Sequence, residues 1–120
     1  MKMIGAIIRP EKLTDTINAL KEIGITGFTV NQVVGRGKQK DGKGTYRGRN
    51  YKVTLHPKIK LEITLSDNMV QLTMDTIIKA AQTGDDGDGK IYVYPVLQAY
   101  NIRTGLPDEN IHEENSMEEN

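Results

Sequence analysis

The chain has 120 residues, 37% of them hydrophobic, with 16 Lys and Arg balanced by 16 Asp and Glu and with no cysteine. This length fits one domain and excludes two large ones. Without cysteine there can be no disulfide framework, thiolate metal site or thiol nucleophile, so a cytoplasmic setting is expected. No stretch approaches the roughly 20 apolar residues that span a bilayer, so we expect a soluble protein.

Charge is unevenly distributed along the chain despite the neutral total. Residues 104–120 hold six acidic residues and no basic one, whereas residues 1–103 hold 16 basic and 10 acidic residues, a net charge of +6. Low hydrophobicity, a single sign of charge and Pro107 predict that the C-terminal segment does not pack. We therefore expect a folded domain over residues 1–105 and an acidic, disordered tail over residues 106–120.

The first half of the domain predicts a strand, a helix and a second strand. Residues 1–9 have apolar side chains at odd and even positions, which indicates a strand buried on both faces. Pro10 opens a helix in which Leu13, Ile17 and Leu20 recur at helical spacing, and Gly24 ends it. Residues 26–34 are rich in β-branched side chains and form the second predicted strand, which ends at Gly35.

The second half predicts the same order of elements after a long loop. From residue 51 to 65 every odd position except Pro57 is apolar or aromatic and every even position is polar, the pattern of a half-buried strand that Pro57 interrupts. Residues 66–68 supply N-cap side chains for a helix that ends at Gly84. Residues 91–97 are the last strand, and Pro95 indicates a sheet edge. The apolar stripe predicted for this helix consists of Val70, Met74, Ile77, Ile78 and Ala81.

The order βαβ, long loop, βαβ predicts an α+β, ferredoxin-like βαββαβ double split. In this fold a four-stranded antiparallel sheet carries two helices on one face, and here the long loop joins strands 2 and 3. Because two helices cover only one face while strands 1 and 4 are apolar on both, we expect another subunit on the second face. The sequence therefore predicts a homo-oligomer.

The long loop has a composition that cannot build a core. The segment GRGKQKDGKGTYRGRN (35–50) contains five glycines and six basic residues against one acidic residue. Such a loop inside a compact domain is typical either of a binding function, in which a partner compensates the ordering entropy, or of a flexible solvated insertion. Composition alone leaves both interpretations open.

A second glycine-rich loop, TGDDGDGK (83–90), lies between the second helix and the last strand. Gly84, Gly87 and Gly89 permit positive φ angles and close backbone approach, so successive N–H groups can converge on an anion beside Lys90. The loop leads into a strand rather than a helix, which distinguishes it from a Walker A loop, and it lacks the spacing of a calcium loop. A phosphate loop and an ordinary turn are both consistent with it.

Four segments together resemble the PII nitrogen-regulatory signal-transduction proteins: AIIRPEKL (6–13), GITGFTVNQVVGRGKQK (24–40), TYRGRNYKV (45–53) and TGDDGDGKIYV (83–93). The resemblance extends to about Gly105 without a gap. It implies a cytoplasmic homotrimer, regulatory rather than enzymatic, that binds ATP or ADP between subunits and 2-oxoglutarate together with Mg²⁺ and ATP. It also implies that the large loop, about residues 36–56, controls an ammonium transporter, glutamine synthetase or nitrogenase.

The resemblance further implies roles for individual residues. The target contact or modification falls on Arg47, Arg49 and Tyr51, and Asn101 replaces a base that is usual in the family, which weakens the phosphate contacts. The 2-oxoglutarate site falls on Gln39, Lys40 and Lys58, with Gln39 also a ligand of Mg²⁺. The implied nucleotide site comprises Thr29, Gly35, Gly37, Lys38, Gln39, Glu62, Thr64, Gly87, Asp88, Gly89, Lys90 and, from the neighbouring subunit, Arg103.

Other functions fit the same strand order less well. An RNA-recognition module would need a basic and aromatic signature on its third strand, and the segment RGRNYK (47–52) fails that signature at the second aromatic and the valine. An acylphosphatase-like hydrolase would need a nucleophile or base beside Arg103 and Asn101, and none accompanies them. Within the PII family, the loop base GRGKQK (35–40) also resembles the nitrogenase-regulating branch, which remains an alternative to the channel-binding type.

Overall fold

A computed structural model of the chain describes residues 1–36 and 55–108. The elements are β1 (Lys2–Ile8), α1 (Leu13–Glu22), β2 (Thr29–Gly35), β3 (His56–Leu65), α2 (Val70–Ala81) and β4 (Gly89–Pro95). A 3₁₀ turn precedes each helix, at Pro10–Lys12 and at Asp67–Met69. The strands form one antiparallel sheet in the order β2-β3-β1-β4. This arrangement confirms the predicted ferredoxin-like α+β fold.

The core lies between the two helices and one face of the sheet. In β1 the even-numbered side chains of Ile4, Ala6 and Ile8 are buried there and pair with odd-numbered residues of β3. Burying each large aliphatic side chain stabilises the fold by about 1.5–3 kcal/mol. The period-2 alternation predicted for β3 is thus confirmed, and the buried positions of that strand are Ile59, Leu61, Ile63 and Leu65.

The sheet face opposite the helices, here called the open face, is apolar in its centre. Met3 and Ile7 of β1 lie on it beside Tyr92 and Tyr94 of β4, which pair with Gly5 and Met3. Tyr92 is 50% exposed and Tyr94 is 41% exposed in the single chain. Their strand has apolar groups on both faces, and the helices cover only one of them. The side chain of Val33 adds to this surface from β2. Within residues 1–36 and 55–108 these groups remain partly exposed.

The two helices end differently. Gly24 ends α1 as predicted: its φ is +89°, its amide donates to Lys21, and the amide of Ile25 donates to Leu20. This pair of hydrogen bonds is a Schellman motif, which needs a residue with positive φ. The prediction for α2 was wrong, because α2 ends at Ala81 and Gln82 is already extended. Gly84, with φ +95°, belongs to the loop that follows.

The predicted side-chain cap at the start of α2 was also wrong. No side chain caps this end of the helix, because the 3₁₀ turn at Asp67–Met69 intervenes and the Ser66 hydroxyl donates to Asn68 Oδ1 at 2.6 Å. Asp67 instead accepts a hydrogen bond from the N-terminal ammonium of Met1 at 2.8 Å. That bond, together with a contact from Lys2, lowers the pKa of Asp67. The carboxylate therefore ties the N-terminus to the start of α2.

Pro57 does not interrupt β3, contrary to the prediction. It pairs with Val34 of β2 inside the strand, whereas β1 pairs with β3 only from Ile59 onward. At Pro57, β3 is therefore paired with β2 but not with β1. The N–H that proline lacks costs no hydrogen bond on the unpaired side, where β1 has already ended. The prediction that Pro95 marks an edge is confirmed, because β4 is the outermost strand of the sheet.

Three element boundaries and one core position also differ from the predictions. The second strand begins at Thr29 rather than at residue 26, and β4 begins at Gly89, two residues before the predicted start. Leu97 lies beyond β4 and is 91% exposed. Ile78 is exposed because the inward stripe of α2 follows Thr73, Ile77 and Ala81, and residue 78 lies about 100° around the helix from Ile77.

None of the helices in the described ranges, 1–36 and 55–108, is long and apolar enough to cross a membrane.

Thr73 has a buried hydroxyl that generates a prediction about stability. Thr16 and Thr73 are both completely buried, and the Thr16 hydroxyl donates to the carbonyl of Lys12 at 2.8 Å. No hydrogen-bond partner of Thr73 Oγ1 lies in the part of the chain that the structure describes. Thr73→Val keeps the β-branched shape and removes the desolvated hydroxyl, so it should raise the free energy of unfolding by about 0.5–1 kcal/mol.

Chemical denaturation at one fixed protein concentration measures this change without interference from association. Thr16→Val is the matched control, because it removes a hydroxyl that does have a partner and should leave stability unchanged or reduced. A Thr73→Val variant no more stable than the wild type would show that the hydroxyl carries no desolvation cost.

Candidate functional site

The loop of residues 83–90, called the phosphate loop below after its predicted role, lies at one end of the sheet. It joins α2 to β4, and β4 begins where Gly89 pairs with Ile8 of β1. Gly89 has a φ of +118°, and a Cβ atom on it would lie 1.7 Å from the carbonyl oxygen of Ile7. Only glycine can come this close to the Ile7 carbonyl, so Gly89 allows the loop to lie against the end of β1.

The carboxylate of Asp88 organises the phosphate loop. Its Oδ2 accepts hydrogen bonds from the amides of Thr83 and Gly84, each at 2.8 Å. Its Oδ1 accepts the Thr83 hydroxyl, whose oxygen in turn accepts the amide of Asp85 at 3.1 Å. The hydrogen bonds, with that of the Thr83 side chain first, hold the pKa of Asp88 well below its usual range. The stability that this carboxylate contributes is present above the ordinary aspartate pKa of about 3.9 and is lost as the pH falls below it.

Arg9 joins the phosphate loop to β1. It follows the last residue of that strand, and its Nε donates to Asp88 Oδ1 at 2.9 Å while its Nη2 donates to the carbonyl of Asp86 at 2.7 Å. The two side chains are 14% and 25% exposed, so solvent screens this ion pair less than one on the surface. The sequence reasoning missed Arg9 as a site residue. The available signal was a basic residue at the end of a buried strand.

Lys58 brings a buried cation to the same end of the sheet. Its side chain lies on the open face, the residue is 8% exposed, and Nζ donates to the carbonyl of Gly87 at 2.5 Å. Burial, followed by the nearby Arg9 guanidinium, lowers the pKa of Lys58. The structure therefore places a residue of the predicted 2-oxoglutarate site in direct contact with the predicted phosphate loop.

Three residues of the implied nucleotide site, Thr29, Glu62 and Thr64, form a second group on the open face. Thr29 of β2 pairs with Glu62 of β3, and the Tyr94 hydroxyl donates to Glu62 Oε2 at 3.4 Å. Two residues further along β3, the Thr64 hydroxyl donates to the sulfur of Met3 at 3.5 Å. Glu62 lies four residues from Lys58, about 13 Å along the strand at ~3.3 Å per residue. Both groups therefore lie on one face of one sheet.

Lys90 is the last residue of the phosphate loop, and Gly35 lies at the same end of the sheet. Lys90 pairs with Ile7, which places it on the open face one residue after Gly89. Gly35 is the last residue of β2 and pairs with His56, at the same end of the sheet as Lys58. The predicted large loop leaves the sheet there, because Gly35 and His56 flank it in the chain.

Arg103 lies in a turn that Asn101 shapes. The Asn101 side-chain oxygen accepts the amides of Arg103 at 2.9 Å and Thr104 at 3.2 Å. A bridge between Tyr100 and Pro107, together with a bond from the Asp108 amide to Ala99, closes the segment. Within the described chain the Arg103 guanidinium forms no ion pair, so the structure does not join Arg103 to the other predicted residues.

The remaining predictions concern residues outside the described ranges. The metal ligand, part of the phosphate and 2-oxoglutarate sites and the whole target-binding set fall there, as does the acidic tail from residue 109. In residues 1–36 and 55–108 no group of three His, Cys, Asp or Glu side chains is arranged to hold a metal ion. The residues concerned are Gly37, Lys38, Gln39, Lys40, Arg47, Arg49 and Tyr51.

Comparisons with known proteins agree with the fold. The family model described as "Nitrogen regulatory protein P-II" matches residues 1–106. The chain is 51% identical over 109 residues to "Nitrogen regulatory protein P-II" of Klebsiella oxytoca and to "Nitrogen regulatory protein P-II 1" of Escherichia coli, which covers 91% of this chain and 97% of each relative. It is 51% identical over 105 residues to "Nitrogen regulatory protein P-II 2" of Methanothermobacter thermautotrophicus, covering 88% of this chain and 91% of that protein. With a matching fold and a family match over residues 1–106, this chain belongs to the nitrogen regulatory P-II family.

Proposed function

We propose that this chain is a cytoplasmic nitrogen and energy sensor, a regulatory protein rather than an enzyme. It binds ATP or ADP on the open face, binds 2-oxoglutarate when Mg²⁺ and ATP are present, and controls a target protein through residues 36–56. The observation that carries this proposal is the phosphate loop, ordered by Asp88, ending at the Lys90 cation and lying beside that of Lys58. Backbone N–H groups and lysines are the groups that neutralise a polyphosphate in protein sites.

The spacing on the open face supports a nucleotide as the ligand. Glu62, which pairs with Thr29 of β2, lies about 13 Å along β3 from Lys58, and Thr64 lies about 20 Å from it. A nucleotide has a base that takes directed hydrogen bonds at one end and a run of phosphates at the other. Such an elongated ligand matches a polar group at one end of a strand and a cationic loop at the other.

A homotrimer would complete this site. The apolar centre of the open face, with Met3, Ile7 and Tyr92, is exposed in a single chain and calls for cover by other copies. Arg103, which is not joined to the phosphate loop within its own chain, would then reach the phosphates bound to a neighbour. Light scattering on the purified chain measures the assembly directly.

The 2-oxoglutarate site is proposed next to the nucleotide site. Lys58 is the described residue that supports it, because a buried cation beside the phosphate loop can pair with a carboxylate. Lys58 carries one positive charge and the ligand has two carboxylates, so Mg²⁺ and residues of the large loop, Gln39 and Lys40, are needed for the remainder. The placement makes binding of the dicarboxylate dependent on the nucleotide and its metal.

The target is proposed to bind the large loop. Its sequence carries Arg47, Arg49 and Tyr51, residue types that anchor protein interfaces. An ammonium transporter, glutamine synthetase and nitrogenase are the candidate partners, and neighbouring genes discriminate among them. An adjacent ammonium-channel gene would favour the first, and adjacent nitrogenase genes would favour the last.

The first prediction of this proposal concerns Lys90. Lys90→Ala should weaken ATP binding by about 1–3 kcal/mol, the range for losing a charged hydrogen-bond partner. Isothermal titration calorimetry measures the change, and Lys79→Ala, which removes the same charge from an exposed position of α2, should leave the affinity unaltered. Equal ATP affinity in the Lys90→Ala variant and the wild type would show that residues 87–90 form only a turn.

The second prediction concerns 2-oxoglutarate. The dicarboxylate should bind appreciably only with Mg²⁺ and ATP present, and ATP should bind more tightly in its presence, because a coupling free energy between two sites is reciprocal. Calorimetry with ATP, with ADP and with no nucleotide tests this. Glutarate, which lacks the keto oxygen, is the control ligand. The site assignment fails if 2-oxoglutarate binds equally under all three conditions.

The third prediction concerns output. Deleting residues 41–51 removes a glycine-rich, basic segment with little apolar surface, so ATP binding should persist while control of the target is lost. A ligand at the loop base acts by favouring one loop conformation over another, which requires different affinities for the two. Pull-downs from cell extract with ADP, and with Mg²⁺, ATP and 2-oxoglutarate, compare the two proteins. A deletion variant that captured the same partners with the same ligand response would contradict an output role for this loop.

A further inference from the structure

We propose that Asp88 and Arg9 are positioning residues for polyphosphate binding: their side chains together hold the phosphate loop in its binding shape without contacting the phosphates. The inference rests on the proposed nucleotide site and specifies how that site is built. Its consequence is unusual for an anion site, because a negative charge next to the phosphates should strengthen their binding.

The first half of the phosphate loop folds onto Asp88. The amides of Thr83 and Gly84 both donate to its carboxylate at 2.8 Å, and the amide of Asp85 donates to the Thr83 hydroxyl oxygen. These three N–H groups are therefore used inside the loop. An anion must be bound by groups in the second half, from residue 86 to Lys90.

The second half is oriented by two cations. Arg9 Nη2 donates a hydrogen bond to the carbonyl of Asp86 at 2.7 Å, and Lys58 Nζ donates one to the carbonyl of Gly87 at 2.5 Å. The peptide bonds are trans, and in a trans peptide the N–H points opposite to the C=O of the same unit. The amides of Gly87 and Asp88, which belong to these two units, therefore point away from Arg9 and Lys58. Consecutive amides presented in this way are the arrangement that binds anions.

Arg9 connects the two halves of the loop. One guanidinium bonds both the Asp88 carboxylate and the Asp86 carbonyl, so the position of the second half depends on the carboxylate that holds the first half. Arg9 itself is fixed by the end of β1, and its partner Asp88 immediately precedes Gly89, which is held against Ile7. The loop is thus held in shape before any ligand arrives, which lowers the ordering cost of binding.

Charge alone and a positioning role predict opposite changes in ATP affinity for the substitution Asp88→Asn. A carboxylate near a polyphosphate repels it, so Asp88→Asn would raise the affinity for ATP if charge were the only effect. If Asp88 positions the loop, the same substitution weakens binding. The neighbouring Asp85 supplies the matched control, because its charge lies in the same loop while its side chain is exposed and does not bond the loop backbone in the described structure.

Calorimetric titration with ATP tests the sign. Asp88→Asn and Arg9→Gln should each raise the dissociation constant about tenfold, and Thr83→Val, which changes no charge, should also raise it. Asp85→Asn should leave it unchanged or lower it. The double variant Arg9→Gln with Asp88→Asn should bind within about twofold of the weaker single variant, because both changes disrupt one unit. Arg9→Lys should recover part of the loss.

Hydrogen exchange of the ligand-free proteins supplies a second readout. Amide exchange in residues 83–90 should be faster in the Asp88→Asn, Arg9→Gln and Thr83→Val variants and unchanged in Asp85→Asn, with thermal unfolding checked for each. The proposal is overturned if Asp88→Asn binds ATP as tightly as the wild type or more tightly. It is also overturned if the losses from Arg9→Gln and Asp88→Asn are additive, because Arg9 would then contact the phosphates itself.

Different results would refute the nucleotide site and the positioning role of Asp88 and Arg9. A wild-type chain that bound no ATP would refute the proposed nucleotide site and with it the ligand named here. The exchange data on the same proteins would still decide whether Asp88 and Arg9 hold the loop, because that measurement needs no ligand. A wild type that bound ATP normally, with an unaltered Asp88→Asn variant, would instead refute the positioning role alone.

Discussion

The close approach of Gly89 to the carbonyl of Ile7 is the constraint on which the rest of the site depends. Because no side chain fits between them, β4 enters the sheet tightly against the end of β1. Asp88 and the phosphate loop are consequently placed beside Arg9, which is two residues beyond Ile7. A larger residue at position 89 would displace the first pair of β4 from β1, and with it the loop that Arg9 and Lys58 contact.

Successive side chains of each strand alternate between the core, which stabilises the fold, and the open face, where the candidate binding residues lie. From Ile59 to Leu65 the odd-numbered residues of β3 are buried beneath the helices, while the even-numbered residues Lys58, Glu62 and Thr64 lie on the open face. The core on one side makes the sheet a stiff support, because close-packed interiors resist deformation. Polar groups on the other side therefore keep the spacing that the strand geometry gives them. Binding functions can accumulate on the open face without loss of core packing.

Lys58 provides a physical link between two proposed ligands. Its ammonium already bonds the carbonyl of Gly87, and its burial disfavours an unpaired charge. A carboxylate that pairs with Lys58 changes the interaction that orients the phosphate loop, and a phosphate on the loop changes the field at Lys58. Both effects act over one hydrogen bond, so coupling between the sites needs no long-range conformational pathway.

Local patterns in the sequence determined most of the fold. The alternation from residue 59 to 65 identified the buried face of β3, Gly24 marked the end of α1, and the order of elements gave the sheet topology. These features depend on residues within a few positions of one another, which a sequence displays directly. The site residues were identified by their resemblance to a family rather than by such patterns. The glycines and Lys90 of the phosphate loop suggested an anion site only as one of two interpretations.

The tertiary structure alone decided which groups meet. Arg9 and Asp88 are 79 positions apart, Lys58 and Gly87 are 29 apart, and their contacts follow from the strand register rather than from local spacing. Pro57 is tolerated inside β3 because β1 ends before reaching it, and Ile78 is exposed because α2 turns Thr73 inward. Each outcome depends on where a distant element ends or faces, since hydrogen bonds and packing act across space while periodicity acts along the chain.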